Sequence, residues 1–139
     1  MKHIVLISCV KSKLPYAAPA ELLYTSSLFK FSLAYARQFA PDAIYILSAK
    51  HWLVSLDQQI APYEQTLKAM PAPDRKDWGK KVLRQLADVS NPSTDHFTIL
   101  AGRDYHGPLI SGLPNHTLPL GSLDYGKRLQ FLKQRITAA

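Results

Sequence analysis

Four short apolar runs divide the chain: His3–Ile7, Ala43–Leu47, His96–Ala101 and His116–Leu120. The first three are dense in Ile, Val, Leu, Tyr and Phe and lack the alternation of a strand wetted on one face. Continuous runs of this kind fit strands buried on both faces, as in a parallel sheet covered by helices. The segments between them carry helical spacing. Leu22, Leu23, Leu28, Leu33, Ala36 and Phe39 form one apolar series, which Pro41 closes. Trp78, Val82 and Leu86 recur at helical intervals and predict a helix with a single apolar stripe. Leu123, Leu129, Leu132 and Ile136 predict a last amphipathic helix. A shorter helix is expected within Tyr105 to Leu113, started late or broken by Gly107-Pro108.

Strand and helix therefore alternate along the chain. That order predicts one α/β domain over residues 1–139, a three-layer α/β/α sandwich with a central, mostly parallel sheet of about four strands. The span Gln58–Asp74 holds Pro62, Pro71 and Pro73 and is expected to be an ordered excursion, not helix throughout. Long excursions in compact domains commonly carry function.

Composition narrows the setting. With 47% hydrophobic and 19% charged residues the chain can bury a core. Cys9 is the single thiol, which excludes an intramolecular disulfide and a Cys-rich zinc site and makes a reducing cytoplasm the expected home. The run Ile4–Ile7 is too short for a signal-peptide core, and no apolar stretch reaches the roughly 18 residues of a membrane span. A soluble cytoplasmic protein without a membrane partner is the expectation. Five histidines are scattered with no H-x-x-x-H or H-E-x-x-H pairing, so no metal site is expected. Net charge is +7. Much of the excess lies in Arg75, Lys76, Lys80, Lys81 and Arg84 and in Lys127, Arg128, Lys133 and Arg135, two sets on expected helices. Such sets are either solvated faces or surfaces for phosphate-bearing partners.

In open α/β sheets ligands bind at the carboxyl ends of the strands, where loops and helix starts converge. After the first run come Ser8, Cys9, Lys11 and Lys13; after the second, Ser48, Ala49, Lys50, His51 and Trp52; after the third, Gly102, Arg103, Asp104 and Tyr105; after the fourth, Gly121 and Ser122. Small residues, hydroxyls and cations thus collect at one end of the sheet, which would suit an anion. Each also has a plainer role: serines close loops, Cys9 packs as a small thiol, His51 bonds within its loop, and Gly102 permits close packing or a positive φ. Tyr24, Tyr63 and Tyr105 offer rings that could wall a nucleobase or cover the core edge. Asp57 and Glu64 are the only carboxylates between the second run and Pro71, hence the acid/base candidates, with His51 beside them. Neither a Walker A sequence nor a G-x-G-x-x-G is present, and no cofactor is expected.

Several segments together resemble a family of small bacterial and phage domains of unknown function. Its pattern runs S-C-x-x-K-x-K, L-Y-x-S-x-L-F, L-S-A-K-[HY]-G-L, P-Y-[DE]-x-T-L, W, A-G-x-x-Y and P-L-x-x-L-x-x-G. The matching residues are Ser8 to Lys13, Leu23 to Phe29, Leu47 to His51, Pro62 to Leu67, Trp78, Ala101 to Tyr105, and Pro119-Leu120 with Leu123 and Gly126. Trp52 departs from the pattern, standing where Gly is usual. More distantly, the order is similar to a domain of archaeosine synthase and to the uracil-DNA-glycosylase-type fold. The water-activating and His-bearing motifs of those glycosylases are not present. The resemblance implies a nucleobase, nucleoside or nucleotide ligand at the strand ends.

The expected function is binding of a nucleotide or nucleobase-containing small molecule, with chemistry at an N-glycosidic bond. Lys11, Lys13 and Lys50 would hold phosphate; Tyr24, Tyr63 and Tyr105 would wall the base; Ser8 and Ser48 would donate hydrogen bonds, with Cys9 and Gly102 lining the site. The alternative is a non-enzymatic module that binds nucleic acid through its basic helices.

Overall fold

The computed structural model describes residues 1–121 and 123–137. In chain order the elements are β1 (His3–Ser8), β2 (Ala18–Pro19), α1 (Ala20–Leu23), α2 (Ser27–Gln38), β3 (Ala43–Ser48), β4 (Trp52–Ser55) and β5 (Gln59–Ile60). There follow α3 (Ala72–Val89), β6 (His96–Leu100), α4 (Arg103–His106), a 3-10 turn at Ile110–Gly112, β7 (His116–Thr117) and α5 (Tyr125–Thr137).

A five-stranded sheet in the order β4-β3-β1-β6-β7 forms the middle layer. Strand β1 lies at its centre, parallel to both β3 and β6, and β7 continues the parallel set. Only β4 runs the other way, along the edge of β3. The side chains of β1 show why the runs are continuous in sequence: Val5 and Ile7 pack into one core with Leu33, Ala36 and Leu132, whereas Ile4 and Leu6 pack into another with Trp78, Val82 and Leu86. Helices α2 and α5 therefore cover one face and α3 the other, giving the expected α/β/α sandwich. Among the described residues no helix is long and apolar enough to cross a membrane.

The differences from expectation have local causes. The apolar series from Leu22 to Phe39 is not one helix. It breaks at Tyr24, which is extended and bridges to Lys13, and α2 restarts with the Ser26 hydroxyl accepting from the Phe29 amide. Its outlying members Leu22 and Phe39 are exposed. The fourth run shrinks to the two residues of β7. The helix expected near Tyr105 does break at Gly107-Pro108, leaving α4 and the 3-10 turn. There Gly79 of α3 lets the chain press close, since a Cβ on it would lie 2.6 Å from Pro108 Cβ.

Strand β4 was not expected, and its first residue explains why. Trp52 holds φ at +60°, a left-handed conformation that is uncommon for any bulky residue. It lets the turn over Ala49 to His51 reverse the chain so that Trp52 pairs back onto Ser48. Glycine adopts this conformation freely. The indole is held by packing against the α3 core and by the Lys81 ammonium, 3.4 Å from its ring centroid. Side chain and backbone therefore pull in opposite directions at position 52. Trp52→Gly and Trp52→Ala lose the same packing, but only alanine retains the left-handed strain. Chemical denaturation is expected to show Trp52→Gly more stable than Trp52→Ala by about 1 kcal/mol; a more stable alanine variant would show the strain to be absent.

Candidate functional site

The carboxyl end of the parallel sheet gathers polar groups into a buried layer and a surface cleft. Ser48 ends β3 with its side chain wholly buried. Its Oγ accepts from the His51 amide at 3.0 Å and donates to Tyr63 Oη at 2.7 Å. Tyr63 Oη in turn lies 2.6 Å from Tyr24 Oη. The Ser48 carbonyl accepts from Trp78 Nε1 at 2.9 Å, which ties α3 to the strand end. Beside this chain, Cys9 Sγ sits 3.2 Å from Tyr105 Oη, and the Tyr105 ring meets Trp78 edge-on. Burial, and then the nearby Cys9, push the hydroxyl pKa values of Tyr24, Tyr63 and Tyr105 upward, so all three stay protonated.

Above that layer Lys11, Lys13, Leu14, Pro15, Pro62, Tyr63 and Glu64 line an open cleft of about 360 Å³. Two segments far apart in sequence meet there, the loop after β1 and the Pro-Tyr-Glu excursion. The Lys13 ammonium lies 4.4 Å from the Tyr63 ring centroid and 5.7 Å from that of Tyr24. Partial burial lowers the Lys13 pKa, with Cys9 and Glu64 acting against that shift. On another side of Tyr63 the His51 ring stands edge-on at 5.3 Å. Desolvation, helped by the Lys50 charge, lowers the His51 pKa and leaves the imidazole neutral near pH 7.

The expected site residues separate into groups. Lys11, Lys13, Tyr63 and Glu64 share the cleft. Ser48, Cys9, Tyr24 and Tyr105 form or adjoin the layer beneath it. Tyr24 is 1% exposed, its ring packed on Phe29, so it supports the floor and cannot stack on a ligand. Cys9 is buried and bonded to a tyrosine, while His51 stands against Tyr63, so the geometry does not pair the thiol with that imidazole. Ser8 ends β1 half-buried, paired in register with Leu47. Lys50 is exposed on the turn and is not among the residues lining the Lys11–Glu64 cleft. Asp57 is carried away by the strand that the sequence hid: β4 runs back until Ser55 pairs with Tyr45, and Asp57 is exposed in the turn beyond. Gly102 has φ −74°, so no positive φ calls for glycine there. A Cβ there would sit 3.1 Å from both terminal nitrogens of Arg128.

Two participants were missed. Trp78 reads in sequence as one member of a core stripe, and only the fold reveals its indole N–H on Ser48. Arg128 reads as part of a basic helix face, yet its Nε donates to the Leu123 carbonyl at 2.7 Å and its guanidinium covers Gly102. Ser122, expected at the last strand end, lies outside the described residues. The two basic sets lie on α3 and α5, which cover opposite faces of the sheet, and Arg75 is paired with Asp104 at 3.3 Å. Among the described residues no group of three or more His, Cys, Asp or Glu is placed to hold a metal ion.

Tyr63 is the middle of the hydroxyl chain, so its loss strands a partner on each side. Tyr63→Phe is expected to lower stability by about 2 kcal/mol, because buried Ser48 and Tyr24 hydroxyls lose their partner. Tyr24→Phe removes an end of the chain and should cost about half as much. Urea unfolding of the two variants checks the order; equal losses would argue against a connected chain.

No curated protein matches the chain. A family model matches residues 4–134, nearly the whole length of the chain. The chain belongs to a family of unknown function, DUF6884.

Proposed function

We propose that the Lys11–Glu64 cleft binds the phosphate of a nucleotide or similar base-bearing ligand, and that the chemistry performed there is attack on an N-glycosidic bond. The observation that carries this reading is the meeting of two lysines, a tyrosine edge and a carboxylate in one cleft at the carboxyl ends of parallel strands. Lys11 and Lys13 supply charge for phosphate. The tyrosines beneath stay neutral and fixed, so binding does not require the floor to reorganise. Glu64 is the carboxylate lining the cleft. Cleaving a glycosidic bond builds positive charge on the sugar, which a carboxylate can stabilise while accepting a proton from the attacking water. The bonding pair leaves with the base, which is then protonated.

Thermal unfolding with a panel of nucleoside monophosphates, nucleosides and free bases tests the binding. A monophosphate at a hundredfold excess over its Kd is expected to stabilise the protein by about 2.7 kcal/mol. Lys13→Ala should weaken that ligand about tenfold or more, the scale of one charge-assisted hydrogen bond. If no member of the panel stabilises the protein, the reading fails. Glu64→Gln should keep binding and lose release of free base, followed by chromatography.

The lowered Lys13 pKa gives a pH signature. The cation that attracts phosphate is present below that pKa and lost as pH rises through it. Affinity should therefore begin to fall at a lower pH than an ordinary lysine would cause, and the early part of that fall should vanish in Lys13→Arg. A flat profile up to the normal lysine range would remove Lys13 from the site.

A further inference from the structure

The cleft does not end at Glu64. Glu64 also lines a second basin of about 250 Å³, with Gln65, Thr66, Ala69 and Met70. Gln65 and Met70 in turn line a third, of about 330 Å³, whose walls include Trp52, Trp78, Lys81 and Arg84. Each shares lining side chains with the next, so the three depressions form one row. It runs from the loop after β1, along the excursion, to the exposed side of α3. Cations stand at both ends, Lys11 and Lys13 near Glu64 at one and Lys81 and Arg84 beside Asp74 and Asp77 at the other.

Resting on the reading of the first cleft as a phosphate and base site, we propose that this row acts as one groove for a segment of single-stranded nucleic acid at least two nucleotides long, with one base against Trp52. A single mononucleotide phosphate can reach the cations of only one end, whereas a phosphodiester chain presents charge to both pairs. The far basin has what a base needs. Trp52 is half-buried with the Lys81 ammonium 3.4 Å from its ring centroid, so a stacking base takes the place of that ammonium and frees it for the neighbouring phosphate, and Met70 adds a polarisable thioether. Trp78 is 3% exposed and its N–H is already bonded to Ser48, so stacking falls to Trp52. Asp74 and Asp77 also line this basin. They repel a phosphate but accept hydrogen bonds from the exocyclic amines of adenine or cytosine. With Lys81 and Arg84 they follow one another along a single stripe of α3, at three- and four-residue spacing. That arrangement puts bases toward the carboxylates and the backbone toward the cations. The left-handed backbone at Trp52 agrees with it, because strained residues gather where function requires a particular side chain.

Fluorescence anisotropy with 5′-labelled deoxyadenylate monomer and tetramer, at low and moderate salt, tests the proposal. The tetramer should bind at least about tenfold tighter than the monomer. Arg84→Gln, at an exposed position that does not endanger folding, should cut tetramer affinity about threefold or more and leave the monomer unchanged. Trp52→Ala should do the same. Lys80→Gln, exposed on the same helix but not lining the groove, should change neither ligand. Equal affinity for monomer and tetramer would overturn the extended groove while leaving the Lys13 cleft intact. A loss in Lys80→Gln as large as in Arg84→Gln would assign the binding to the general charge of α3 and overturn it too. If neither ligand binds, the groove and the mononucleotide site fall together.

Discussion

The buried Ser48 residue is the point on which the carboxyl end of this sheet depends. Its carbonyl holds Trp78 of α3, its hydroxyl holds Tyr63 of the excursion, and that same hydroxyl receives the His51 amide of the turn into β4. A strand, a turn, a helix and a loop meet on one residue. Because the site is closed to water, each of those groups must be paired or bear the cost of burial. The need for pairing fixes the excursion in place: Tyr63 cannot leave without stranding two hydroxyls. The Pro-Tyr-Glu segment is thereby anchored through Tyr63 to the end of β3, directly beside the cleft it lines.

Much of the fold was legible because the central strands are buried on both faces. Ile4 to Ile7 alternate between two cores, and both demand apolar residues, so the run reads as continuous. The same logic failed for β4. An edge strand contributes mixed residues, and Trp52-Leu53-Val54-Ser55 merges with the apolar run before it once the turn is not recognised. The turn was hidden since its left-handed position holds tryptophan, where glycine would have announced it. The split between α1 and α2 was hidden for a related reason. Leu23 and Tyr24 continue the apolar series although Tyr24 is extended, and the Ser26 cap that restarts the helix is a single hydroxyl among several.

The site was legible as a location and less so as an arrangement. Strand direction alone places Ser8, Ser48, Gly102 and their neighbours at one end of a parallel sheet. Depth is a different quantity, and residue type does not encode it. Tyr24, Tyr63 and Tyr105 look alike in sequence, yet Tyr24 is 1% exposed and lies wholly beneath, whereas Tyr63, 7% exposed, reaches the lining of the cleft. The carboxylates separated for a topological reason: Asp57 precedes β5 and Glu64 follows it, and only the latter returns to the strand ends. Arg128 was beyond reach because what marks it is a glycine on another element that leaves room for a guanidinium.

The division of labour between floor and rim constrains any chemistry here. Three tyrosines with raised pKa values keep the floor uncharged across the working range of pH. A negative floor would compete with an anion for Lys11 and Lys13; a neutral one leaves both cations to it. Cys9 belongs to the same floor, held to Tyr105 and enclosed, so a covalent route through its thiol would require the hydroxyl layer to open. Charge that can act on a ligand is therefore confined to the rim, where Lys11 and Lys13 face one carboxylate. Holding an anion and assisting departure of a base place opposite demands on such a rim, and the lysines and Glu64 meet them from different segments of chain, the loop after β1 and the excursion that buried Ser48 holds through Tyr63.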